Sequence, residues 1–240
     1  MSSSARKPRR GFTIVELVIV MVVGGIVALM TARLMFRGVN TLVFLPKAVA
    51  VNQVSTEVLH HVLEGGLSTL SGLTESLTAC VTAPTSPTAS IQGLRFATHC
   101  NATWPALWLA EQNRIGYIAS NGQYVLVRWT GTSIKRSLPP ITTTCMTIDA
   151  VLPTLTEETL PYHAVADAVT ILPPVVNPAD QLFRYYNQAG VEVTVVPPVC
   201  PPNATIRRVD LAFRAQTGSG LFEEGNAQED VRSSVAIRVP

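Results

Sequence analysis

Residues 11 to 30 read Gly11-Phe-Thr-Ile-Val-Glu16-Leu-Val-Ile-Val-Met-Val-Val-Gly24-Gly25-Ile-Val-Ala-Leu-Met30, an apolar run with basic residues before it and one carboxylate inside it. From Phe12 to Ala32 there is no proline, and Glu16 is the single ionisable side chain. Wound as a helix at about 1.5 Å per residue, the run is roughly 31 Å long, the thickness of a hydrocarbon core. A carboxylate placed in lipid is costly unless something satisfies it, so Glu16 is expected to have a partner. Cleavage after Gly11 would make Phe12 the new N-terminus and set a free α-amino group about one helical turn from Glu16. In a helical array of subunits, the amine of one chain could meet Glu16 of its neighbour and fix the axial step between them.

Basic residues, then Gly11, Phe12, Thr13, a glutamate at the fifth position after the glycine, and an unbroken apolar run together resemble the class III signal of type IV pilins and type II secretion pseudopilins. The resemblance covers the N-terminal stretch, from the basic residues into the apolar run. It implies cleavage after Gly11 by prepilin peptidase and N-methylation of Phe12. It also implies assembly, with other major and minor pilins or pseudopilins, on an inner-membrane platform, with Glu16 serving subunit docking.

The chain carries 18 Lys+Arg against 16 Asp+Glu, but Arg6, Lys7, Arg9 and Arg10 all precede the apolar run. Without residues 1 to 11 the balance is 14 against 16, so a basic surface for nucleic acid is not expected. The same four cations favour a cytoplasmic N-terminus, leaving the body in the periplasm. An ordinary secretory signal shares the basic-then-apolar order. Its nominal small-x-small site, Ala48-Val49-Ala50, is separated from the apolar core by Arg33, Arg37 and the segment from Gly38 to Lys47, too far for usual processing.

Most of the chain remains after leader removal, enough for one long helix and one globular body. The expected fold is α+β: a long N-terminal helix, its first half membrane-embedded, packed against an antiparallel β-sheet body, as in pilins. The expected parts are a leader (1 to 11), a transmembrane and filament-core helix (12 to 32), an amphipathic extension (33 to 66) and a periplasmic β-rich domain (67 to 240). Cys80, Cys100, Cys145 and Cys200 are widely separated and fit no compact zinc pattern. Disulfides in an oxidising compartment are the expectation, with Cys80–Cys100 and Cys145–Cys200 favoured among three pairings. Free buried thiols are the alternative.

Val51, Val54, Val58, Val62 and Leu63 recur at helical spacing between Asn52, Gln53, Glu57 and His60. The helix is therefore expected to continue to a stop at Gly65-Gly66, with Gly24-Gly25 and Pro46 as candidate bends. Its length would then be about 75 Å. Residues 67 to 90 read as turns and irregular loop. Period-two patterning predicts strands over 91 to 97, 114 to 119, 124 to 129, 133 to 138, 182 to 186, 191 to 196, 206 to 214 and 231 to 239. Asn121-Gly122 and Gln188-Ala189-Gly190 mark hairpins. Residues 146 to 180 read as a long surface excursion. The order Ile115-Gly-Tyr117, Val125-Leu-Val-Arg128, Phe183-Arg-Tyr-Tyr-Asn-Gln-Ala-Gly190, Ile206-Arg-Arg-Val-Asp-Leu-Ala-Phe213 and Ser233-Ser-Val-Ala-Ile-Arg238 resembles large minor pilins, the J-type minor pseudopilins and W-type minor pilins.

Phosphate loops, dinucleotide glycine motifs and Gly-x-Ser-x-Gly elbows are absent from the sequence, so no enzyme and no cofactor are expected. His60 and His61 are adjacent on a helix and point about 100° apart, so they would not share a metal, and no metal site is expected. Glu223, Glu224, Glu229 and Asp230 read as a solvated loop, with calcium as the weaker alternative. Trp104, Trp108 and Trp129 read as packing rather than a binding patch. Asn101-Ala-Thr103 and Asn203-Ala-Thr205 match the N-glycosylation triplet but carry little weight in a bacterial-looking body. The expected function is that of a minor pilin or pseudopilin that primes or caps a filament. The alternative is a tip-displayed adhesin, or a substrate- or DNA-binding module, on the same scaffold, with residues 139 to 180 and 197 to 204 as its surfaces.

Overall fold

A computed structural model describes residues 13–68, 70, 90–98, 106–140, 142–144, 146–160, 169–173, 181–193, 205–217 and 227–237. Gly11, Phe12 and all four cysteines, with the disulfide pairings expected of them, lie outside the described residues. The chain forms two compact units, Met1–Leu45 and Pro46–Pro240.

Helix α1 runs Ile14–Leu63, 50 residues, with Pro46 inside it. In the first unit every side chain described is exposed, including Leu17, Val18, Ile26, Met30, Leu34 and Phe36. From Ile14 to Ala32 the helix is apolar on every side apart from Glu16, packs against nothing among the described residues, and fits membrane anchoring by its length and composition.

In the second unit the helix becomes one-sided. Val51, Val54, Val58 and Val62 are all but fully buried, while Asn52, Gln53 and His60 are exposed. Leu63 ends the helix because Gly65 takes φ 87°, a left-handed conformation that a side chain disfavours. Packing forbids one as well, since a Cβ on Gly65 would lie 1.9 Å from the Ile91 carbonyl oxygen. That close approach is β1 (Gly65–Leu67) pairing antiparallel with β2 (Ser90–Gln92).

A five-stranded antiparallel meander follows in chain order: β3 (Leu107–Ala110), β4 (Arg114–Ile118), β5 (Tyr124–Trp129), β6 (Ile134–Ser137) and β7 (Glu157–Leu160). The β4–β5 turn uses Asn121-Gly122 as expected, with Gly122 at φ 81°. A second antiparallel sheet is built on the long β10 (Ile206–Thr217). On one side lies β11 (Gln228–Ala236), and on the other β8 (Val169–Leu172) and β9 (Phe183–Asn187) pair with successive stretches of β10. One apolar core contains the helix stripe, Ile115, Tyr117 and Val127 of the first sheet, and Phe183, Leu211 and Phe213 of the second. Tyr185 ties the sheets together: its buried hydroxyl donates to the Glu111 carbonyl at 2.7 Å and accepts from the Glu111 amide at 3.1 Å. Trp129 Nε1 donates to the Ile171 carbonyl at 2.8 Å.

Two expectations need correction. The strand over 91 to 97 stops at Gln92 and gives way to a 3-10 turn, Leu94–Phe96, because Gly93 is pressed against the helix end, where a Cβ would lie 2.3 Å from the Leu63 oxygen. The segment from 146 to 180 is not a surface excursion throughout, since it contains β7, β8 and a single helical turn, α2 (Ile148–Val151). Of the strand over 191 to 196, residues 194 to 196 lie outside the described residues, and the described part pairs back onto β9 through a bridge from Glu192 to Tyr186.

A second, smaller core lies among Trp108, Leu109, Ile118, Tyr124, Leu126 and Ile148. The pairing of β3 with β4 shifts register between Leu107 and Leu109, and Leu107 belongs to the main core while Trp108 and Leu109 belong to this one. Trp108 stacks on Tyr124 with ring centres 4.4 Å apart. Gly116 leaves the room for it: a Cβ there would lie 2.3 Å from the indole ring. Gly116→Ala is therefore expected to lower stability by about 1–3 kcal/mol through overpacking, with a loss of near-ultraviolet circular dichroism from Trp108. A denaturant titration with an unchanged midpoint would contradict it.

Candidate functional site

The N-terminal end of α1 is built by two side chains. Thr13 precedes the first helical residue, Ile14, and its backbone amide donates to Glu16 Oε2 at 2.9 Å. The Thr13 hydroxyl donates to the same oxygen at 3.0 Å and accepts from the Glu16 amide at 3.3 Å. This reciprocal arrangement is a capping box, which satisfies amides that a helix start otherwise leaves bare. Glu16 thus has a partner within its own chain, which sequence reasoning about the carboxylate missed. The signal was present as Thr13-x-x-Glu16. Among the described residues Glu16 Oε1 accepts no hydrogen bond, so the carboxylate keeps one oxygen for a second donor. Both side chains are exposed.

Further along, Gly24 and Gly25 have nothing within 4 Å of where a Cβ would be. Their smallness serves no contact among the described residues. In membranes, small residues let neighbouring helices approach closely.

Among the described residues, no group of three or more His, Cys, Asp or Glu comes together that could hold a metal ion. His60 and His61 meet edge to face with ring centres 6.0 Å apart, and His61 lies 3.9 Å from Glu57. Burial, helped by the nearby charge of Arg136, holds the His61 imidazole below its ordinary value. Glu229 and Asp230 sit in β11 rather than in a loop, and Arg214 grips both Asp230 oxygens at 2.6 and 2.9 Å. Those bonds hold the Asp230 carboxyl below its usual range and occupy it with a cation already present. Glu223, Glu224, Trp104 and both glycosylation triplets lie outside the described residues, except for Thr205. Trp108 is core and Trp129 is half-buried.

Sequence reasoning also missed a buried ion pair. Arg136 and Glu158, 0% and 2% exposed at their side chains, lie 2.5 Å apart between β6 and β7. The guanidinium also donates to the carbonyls of His61 at 3.4 Å and Leu67 at 3.2 Å, and Ser68 donates to the other Glu158 oxygen at 2.9 Å. The His61 carbonyl is in the last turn of α1, so a cation stands where a helix end is electronegative. This cluster locks the helix terminus to the sheet.

A family model described as the prokaryotic N-terminal methylation motif matches residues 6–32. No curated protein and no solved structure matches the chain.

Proposed function

We propose that this chain, whose N-terminal methylation motif supports membership of the type IV pilin and pseudopilin family, is a minor subunit, a structural protein that primes or caps a type IV pilus or a type II secretion pseudopilus. The observation that carries this is the exposure of an unbroken apolar helix on every side, with its single carboxylate at the motif end. Such a surface is stable in lipid or among like helices and not in water.

In this proposal prepilin peptidase removes residues 1 to 11, and the apolar helix holds the subunit in the inner membrane with its body in the periplasm. Residues 12 to 32 enter the filament core and 33 to 66 continue the helix to the body. The partners are other pilins or pseudopilins and the inner-membrane assembly platform. Support for a minor rather than a major role comes from the size of the body, which takes up everything beyond position 66 of a 240-residue chain, and from its long connections.

Mass spectrometry of the membrane-extracted chain tests the processing step: the expected N-terminus is a methylated Phe12. An intact leader, or a start at another residue, would sink the proposal. Gly11→Ala is expected to retain the leader on most of the protein, read as a mass increase on the same instrument. Filament counts in cells lacking the chain test the assembly step. Loss of filaments supports priming or capping, whereas normal filament number with lost adhesion or uptake supports the tip-displayed binding module instead.

A further inference from the structure

The outward face of β9, β10 and β11 carries chemistry that neither the core nor the helix uses. Along β10, Val209, Leu211, Phe213 and Ala215 are buried, while the residues between them, Asp210, Ala212 and Arg214, are partly exposed and Arg208 is exposed. The antiparallel registers place Arg184 and Ser234 on either side of Asp210, Arg232 beside Ala212, Tyr186 beside Arg208 and Asp230 beside Arg214. A pocket of about 290 Å³ opens on this face, with Arg184, Tyr186, Asp210, Ala212, Arg232 and Ser234 among its walls.

The charges of this face do not cancel. Arg214 is taken up by Asp230. Arg208 has its Nε 3.0 Å from Asp210 and its guanidinium 4.0 Å over the centre of the Tyr186 ring. Asp230 is thereby engaged and Asp210 lies beside a cation, while Glu192, bridged to Tyr186, adds a third carboxylate at the edge of the face against four arginines. Arg184 and Arg232 have no ion-pair partner among the described residues, although Asp230 feels the Arg232 charge. They stand on strands either side of β10, offset by two residues in register and so about 12 Å apart at their Cα atoms, with the small side chain of Ala212 leaving space between them. Arginine presents a planar fork of N–H donors that matches carboxylate and phosphate oxygens. The volume is at the small end for ligand sites, the size of a small molecule rather than a length of chain.

We propose that this pocket binds a small oxyanion, a phosphate or carboxylate group, held between Arg184 and Arg232 with the Ser234 hydroxyl as an added donor. Asp210 lies beside Arg208, which stands over Tyr186, and the three side chains shape one wall. The pocket is lined by residues of the body and its test uses the unassembled subunit, so its failure leaves the proposed assembly role standing, and the converse also holds.

The test is calorimetric titration of the full-length chain in neutral detergent with inorganic phosphate and, separately, with succinate, at an ionic strength fixed by sodium chloride. Saturable one-site binding of at least one of them is expected. Phosphate alone would identify a tetrahedral ligand, and succinate alone a carboxylate. Arg184→Gln, Arg232→Gln and the pocket-filling Ala212→Leu should each weaken binding about tenfold or more, while Lys135→Gln on the other sheet should leave it unchanged. Near-ultraviolet circular dichroism checks that each variant is folded. Absence of saturable heat with both anions, or equal affinity in the Arg184→Gln/Arg232→Gln double variant, would overturn the proposal.

Discussion

Arg136→Met is expected to destabilise the body by about 3–5 kcal/mol, the range for removing one partner of a buried ion pair, and so to consume much of a typical margin of about 5–15 kcal/mol. Methionine fills much of the volume, so the loss would not come mainly from a cavity. It would come from Glu158, left buried without its guanidinium, and from the His61 and Leu67 carbonyls, which lose the donor that Arg136 supplies. Arg136→Met/Glu158→Leu should recover part of the loss, because an apolar pair can replace a buried ionic one at little cost. Recovery should be incomplete, since the two carbonyls do not regain that donor. Guanidinium denaturation of the full chain in detergent, followed by near-ultraviolet circular dichroism, checks the ordering. A double variant no more stable than Arg136→Met would show that the guanidinium acts through the carbonyls at the helix end and not through Glu158.

Arg136 also shows why part of the fold was hidden in the sequence. Strand β6 alternates, and Arg136 falls on the same side as the buried Ile134. A charged residue in an inward position reads as solvated unless a partner is known, and Glu158 is 22 residues away in a segment without clear patterning. Strands β7 and β8 have four residues each, too few for a period of two to stand out. The helix stripe was legible because Val51, Val54, Val58 and Val62 repeat over successive turns, and the β4–β5 hairpin because Asn121-Gly122 supplies the positive φ the turn needs. At the candidate site, Glu16 was legible as the one charge in an apolar run. Its cap was not, because a carboxylate bound for lipid suggests a partner in another chain, while Thr13 stood three residues away.

Under the proposed assembly role, Glu16→Ala is expected to leave cleavage after Gly11 largely intact and to reduce incorporation into filaments about tenfold or more, since the charge that would pair with a neighbouring amine in hydrocarbon is gone. The capping box supplies a rival explanation, because the same substitution removes the acceptor for the Thr13 amide and hydroxyl. Two further variants separate them. Glu16→Gln keeps an acceptor oxygen for the cap but loses the charge, whereas Thr13→Val keeps the charge and loses the hydroxyl that both donates to Glu16 and accepts from its amide. If charge pairing sets one subunit against the next, Glu16→Gln should fail as badly as alanine and Thr13→Val should assemble at a level nearer wild type. If the helix start is what matters, the order reverses. The readout is the ratio of filament-borne to membrane-borne subunit by immunoblot after shearing, with mass spectrometry confirming removal of the leader in each variant. Wild-type incorporation of Glu16→Ala would eliminate both explanations and leave the carboxylate without a part in assembly.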